Sequence, residues 1–71
     1  MNKLETNVRF GLRLRELRVR CGLSQEELAL RSELNRTYMG DIERGEKTPS
    51  LITLEKIALG LGISLKEMFD Y

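Results

Sequence analysis

Arg36, Thr37 and Asp41 are spaced so that a helix places them on or near one side, and each carries a group that can meet the edge of a base pair. Arginine can donate two hydrogen bonds to guanine, threonine can touch a thymine methyl or a phosphate, and aspartate can accept from the cytosine amino group. Met39 and Ile42 fall on the other side, so the same segment has an apolar face to bury and a polar face to present. Gly40 belongs to the presented side. It costs about 1 kcal/mol relative to alanine in a helix interior, and close approach to a DNA groove is a reason to have it there.

Catalytic chemistry fares worse. The chain of 71 residues contains no histidine and a single cysteine, Cys21, which closes the apolar stripe of its helix and is expected in the core or at its boundary. Every Ser/His or Cys/His pair is therefore missing, as is the commonest general base near neutral pH. A disulfide within the chain and the usual zinc ligand sets are excluded on the same count. A hydrolase built from Asp41, Glu43 and Glu46 lacks a partner nucleophile. The first dozen residues hold Lys3, Glu5 and Arg9 rather than an apolar run, and no apolar segment approaches the ~20 residues of a membrane span. The expectation is a soluble cytoplasmic protein without enzyme activity, metal or cofactor.

The polar face needs elements to hold it. Apolar spacing and punctuation predict five short helices and no strand, an all-α domain spanning residues 1–71. The first runs from about Thr6 or Asn7 to Cys21 and stops at Gly22, with Phe10, Leu14, Leu17 and Cys21 along one side. Ser24 to Glu27 has the capping-box pattern and opens a second helix that ends near Ser32. After a turn at Glu33-Leu34, Asn35 caps a third helix over about Arg36 to Arg44, ended by Gly45. Pro49-Ser50 leads into a fourth, about Leu51 to Leu61, whose core side is Leu51, Leu54, Ile57, Ala58 and Leu61. Ser64 to Glu67 repeats the capping box and starts a fifth containing Met68 and Phe69. Two short helices joined by a tight turn, about residues 24–44, form a helix-turn-helix whose second helix can enter the DNA major groove.

The net charge is only +1, but residues 1–36 carry +3 and residues 37–71 carry −2. Such a chain can turn one positive face to a polyanion. Arg9, Arg13 and Arg20 share a side of the first helix and read as a solvated basic stripe.

Gly22-Leu23-Ser24-Gln25-Glu26-Glu27-Leu28-Ala29, then Asn35-Arg36-Thr37-Tyr38, Ile42-Glu43-Arg44-Gly45 and Pro49-Ser50-Leu51 together resemble the lambda-repressor-like or XRE helix-turn-helix family. The resemblance covers roughly residues 8–69 and is specific because several spaced motifs agree. Within the family the chain is most similar to the small controller proteins of restriction–modification systems. The resemblance implies a compact five-helix domain that binds a near-palindromic operator on double-stranded DNA as a homodimer and regulates transcription. It puts Arg36 and Thr37 at base edges, and Ser24 and Gln25 against a phosphate. Tyr38, Arg44, Lys47 and Thr48 become phosphate or groove-flank contacts, and Arg18 with Glu43 a buried ion pair. Tyr38 is as well suited to packing its ring. Gly40 and Asp41 depart from the amide side chains common in phage repressors, which leaves the operator sequence open.

Ile52 and Leu59, seven apart, lie nearly opposite the core side of the fourth helix, and Ile63, Leu65, Phe69 and Tyr71 follow nearby. They suggest a partner surface within about residues 50–71, and the resemblance suggests a second copy. Val8, Leu12 and Val19 make a similar stripe on the first helix. Two alternatives share the fold: an antitoxin or adaptor that uses this surface on a protein, and a phage-type repressor.

Overall fold

A computed structural model describes residues 2–71, with the Lys3 side chain outside the described set. Its elements are α1 (Lys3–Arg20), α2 (Gln25–Arg31), α3 (Arg36–Glu43), α4 (Leu51–Leu61) and α5 (Leu65–Met68), with no strand among the described residues. α1 begins earlier than apolar spacing predicts, because Asn2 caps it: its side-chain oxygen accepts from the Glu5 amide at 2.9 Å. The other four starts follow their capping residues. Ser24 and Ser64 form complete capping boxes with Glu27 and Glu67, while Asn35 and Ser50 accept from the Tyr38 and Thr53 amides. α4 ends at Gly62, whose φ of 73° is left-handed.

These helices enclose one core. Phe10, Leu14 and Leu17 from α1 meet Leu28 and Ala29 from α2, Met39 and Ile42 from α3, Ile57, Ala58 and Leu61 from α4, and Met68 from α5. α3 packs on α1 and α2, and α4 on α2 and α5. At Gly11 the backbone of α1 lies directly against that of α3. A Cβ there would lie 2.4 Å from the Glu43 carbonyl oxygen, so only glycine lets the two backbones touch.

Three expectations fail. Leu51 is 68% exposed, since it sits in the first turn of α4, beyond the end of the core it is in phase with. Cys21 is exposed, because α1 ends before it and the backbone turns away toward Gly22. Gly40 is buried beneath the protein's own Arg44 and Gln25 side chains rather than bare on the presented face. The second stripe on α1, Val8, Leu12 and Val19, is exposed, Val8 least, since it lies against Gly45.

Candidate nucleic-acid interface

α3 is held from inside by an ion pair. Glu43, its carboxylate only 4% exposed, accepts from Arg18 Nε at 2.6 Å and from Arg18 Nη2 at 3.1 Å, a two-pronged contact between α1 and the end of α3. Arg18 Nη1 donates to the Leu23 carbonyl at 2.7 Å, and Gln25 Nε2 donates to Glu43 Oε1 at 3.0 Å. One carboxylate thus joins α1, the entrance to α2 and the end of α3. The hydrogen bond to Glu43 raises the Arg18 pKa above its ordinary value, against the opposing effect of burial. A buried pair of this kind breaks expensively if one member is lost.

Against that support, Met39 and Ile42 point inward, whereas Arg36 and Thr37 stand exposed in the first turn. Tyr38 is half-buried, its ring packed against the core. Asp41 is half-buried and pairs with the exposed Arg44 at 2.5 Å, and Arg44 also reaches Glu46 at 3.2 Å. Ser24, at the start of α2, and Lys47 and Thr48, in the loop after α3, are exposed. Gln25, expected at a phosphate, is half-buried with its amide nitrogen on Glu43.

The turn between α2 and α3 has its own geometry. Glu33 has φ of 56°, the single left-handed non-glycine residue among those described. The Leu34 amide reaches back to the Ala29 carbonyl at 2.8 Å, closing α2 over that residue.

Three partnerships were not visible in the sequence. Asn7 Nδ2 donates to Thr48 Oγ1 at 2.8 Å, tying α1 to the loop after α3. Glu46 anchors Arg44. Arg13 is not part of a solvated stripe: it donates to the carbonyls of Glu67 and Met68 and pairs with Glu16. Arg20 also pairs with Glu16, and Arg9 lies 5.5 Å from the centre of the Tyr71 ring. The only signal for Arg13 was its position near the apolar side of α1.

At the far end of the molecule a shallow apolar groove of about 210 Å³ runs between α4 and α5, lined by Glu55, Ala58, Leu59, Ile63 and Leu65. Leu59 is 80% and Ile52 67% exposed. Phe69 does not line this groove. Its ring stacks between Phe10 and Tyr71, with centroids 5.3 and 6.3 Å away.

Five helices around one core, with the second and third joined by a tight turn and an exposed polar face on α3, define a helix-turn-helix domain. Residues 14–68 match the helix-turn-helix family, and the chain belongs to it, a family of DNA-binding transcription regulators and not of enzymes. The chain is 47% identical over 67 residues to control protein C.MunI of a Mycoplasma species, covering 93% of this chain and 90% of that protein. It is 41% identical over 71 residues to control protein C.BamHI of Bacillus amyloliquefaciens, covering 96% and 88%. Among solved structures it is similar to the restriction–modification controller protein C.AhdI of Aeromonas hydrophila, with a TM-score of 0.89 and 49% identity over 92% of this chain and 98% of that one.

Proposed function

We propose that this single domain is a homodimeric, sequence-specific regulator that controls transcription in a restriction–modification system, acting in the cytoplasm of a bacterium. The observation that carries the reading is the exposed pair Arg36 and Thr37 at the start of α3, on a helix whose far end is clamped by Arg18, Glu43 and Gln25. A rigid helix with a free cationic first turn can enter a major groove and hold its donors in register with base edges. The relatives, two control proteins and a restriction–modification controller, support the same role.

In this reading Arg36 and Thr37 discriminate bases. Ser24, Tyr38, Arg44, Lys47 and Thr48 contact the backbone, and the cations among them, Arg44 and Lys47, carry the salt dependence. Gln25 reaches DNA through its side-chain oxygen or its second amide hydrogen, since one hydrogen of its amide nitrogen is committed to Glu43. Ile52, Leu59, Ile63 and Leu65 form the seam with a second copy, which explains aliphatic exposure that a monomer leaves in water. Phe69 stays with the ring stack on α1.

Selection from random-sequence duplexes tests the reading, followed by anisotropy titration of the enriched site against a scrambled one at two salt concentrations. The expected outcome is an inverted repeat with half-sites about one helical turn apart, bound at least ~10³-fold more tightly than the scramble. Absence of enrichment overturns it and points to a protein partner for the same fold. Sedimentation of a chain carrying Ile52→Ser and Leu59→Ser tests the seam, and a persistent dimer places it elsewhere.

A further inference from the structure

The guanidinium of Arg44 lies across Gly40, where an added Cβ would come within 3.1 Å of Arg44 Nη1. Two carboxylates hold it there, Asp41 at 2.5 Å from Nη2 and Glu46 at 3.2 Å from Nε. Their hydrogen bonds and charge, Glu46 foremost, raise the Arg44 pKa above its ordinary value. Among the described residues Arg36 and Lys47 have no ion-pair partner, so the cations of this face divide into open ones and one already satisfied. The arrangement does little for the fold, since exposed ion pairs contribute little to stability. It does occupy the cation that would otherwise grip any phosphate passing the end of α3.

We propose that Asp41 and Glu46 act through Arg44 as an internal substitute for phosphate, and so widen the margin between specific and non-specific DNA binding. The inference rests on the DNA-binding reading above. Non-specific affinity comes from cations neutralising phosphates wherever these fall. A guanidinium already engaged by two carboxylates gains little from a loosely placed phosphate. It exchanges partners when base contacts from Arg36 and Thr37 hold the duplex in one register and keep a phosphate within its reach. Asp41 is then a positioning residue that works through Arg44, and not a reader of bases. Gly40 provides the flat bed on which Arg44 rests between encounters.

The test is a mutant cycle. Asp41→Asn, Glu46→Gln, Arg44→Gln and the Asp41→Asn/Arg44→Gln double variant are titrated against the selected site and the scrambled duplex across a salt series. Circular dichroism checks that each is folded. The expected result is that Asp41→Asn and Glu46→Gln tighten scrambled binding about five-fold, more than they tighten the selected site, and so narrow the specificity ratio. Asp41→Asn has no such effect once Arg44 is glutamine. Equal tightening in both backgrounds overturns the proposal in favour of plain charge repulsion. A loss confined to one base pair of the selected site overturns it in favour of base reading. If the wild-type chain binds duplex DNA and Asp41→Asn changes nothing, this inference fails alone; if the wild-type chain binds no duplex, the DNA-binding reading falls with it.

Discussion

Arg13 of α1 reaches the last turn of α5 and donates from Nη2 to the Glu67 carbonyl at 2.8 Å and from Nε to the Met68 carbonyl at 3.2 Å. These carbonyls lie where a helix runs out of its own amide donors and where its dipole favours a cation. α5 has only four residues, too few to be stable alone, so it depends on this clamp and on burial of Met68. Arg13→Ala is expected to cost about 2 kcal/mol, the worth of charge-assisted hydrogen bonds. Urea unfolding measures it, and hydrogen exchange should show α5 amides losing protection first.

The Arg18–Glu43 pair makes a sharper forecast. Arg18→Met strands a carboxylate that is 4% exposed, and about 3–5 kcal/mol of stability should go with it. Replacing both partners by apolar residues of similar volume should recover much of that loss. Thermal unfolding of the two single variants and the double variant decides the matter. Additive losses would show that the two side chains stabilise the fold independently.

Glu33 pays for its left-handed backbone without a glycine's freedom. Glu33→Gly is expected to stabilise the domain by about 1 kcal/mol, because a side chain in that conformation costs roughly 1–2 kcal/mol and glycine gives part of this back in unfolded-chain entropy. A lower unfolding midpoint would mean that the glutamate side chain contributes more than its backbone costs.

The capping box of α2 carries a pH signature. Hydrogen bonds from Ser24, the backbone amide foremost, hold the Glu27 pKa below its ordinary value. A depressed folded-state pKa means that the carboxylate's contribution is complete above the unfolded value and is lost as pH falls through the folded one. The stability difference between wild type and Glu27→Ala should therefore shrink on acidification below the ordinary glutamate range and stay constant from mild acid to neutrality. A difference unchanged at low pH would assign it to packing.

On the proposed operator, Arg36→Ala should cost about 1–3 kcal/mol and relax base preference at one position per half-site. Binding to a scrambled duplex should fall much less. Anisotropy titrations with singly substituted sites measure both, and an unchanged specificity ratio would remove Arg36 from the reading set.

What could be read from the sequence is what local chemistry decides. Ser24, Asn35, Ser50 and Ser64 announced four helix starts, because each caps an amide three residues away. The inward Met39 and Ile42 followed from spacing alone, as did the exposed Arg36 and Thr37. Arg18 with Glu43 came from family resemblance, and spacing on α1 alone shows only that Arg18 lies near the apolar side. Contacts between distant segments were the blind spot. The two α5 carbonyls that Arg13 holds are 54 and 55 residues away from it, and Asn7 and Thr48 are 41 apart. Leu51 shows a different limit: periodicity gives the phase of a residue but not where the core stops. Gly40 had the correct angular position, but the wheel does not show that Arg44 and Gln25 fold over it.

α3 divides its labour between side chains that do not overlap. Met39, Ile42 and Glu43 hold it to the body of the protein, whereas Arg36 and Thr37 stand exposed. The two groups are therefore free to diverge at different rates in descent. On the proposed DNA-binding reading, substitution at the outward pair changes the address to which the domain responds while the scaffold is inherited intact. Duplicated copies in one cell could part company by one or two such replacements, long before their interiors differed.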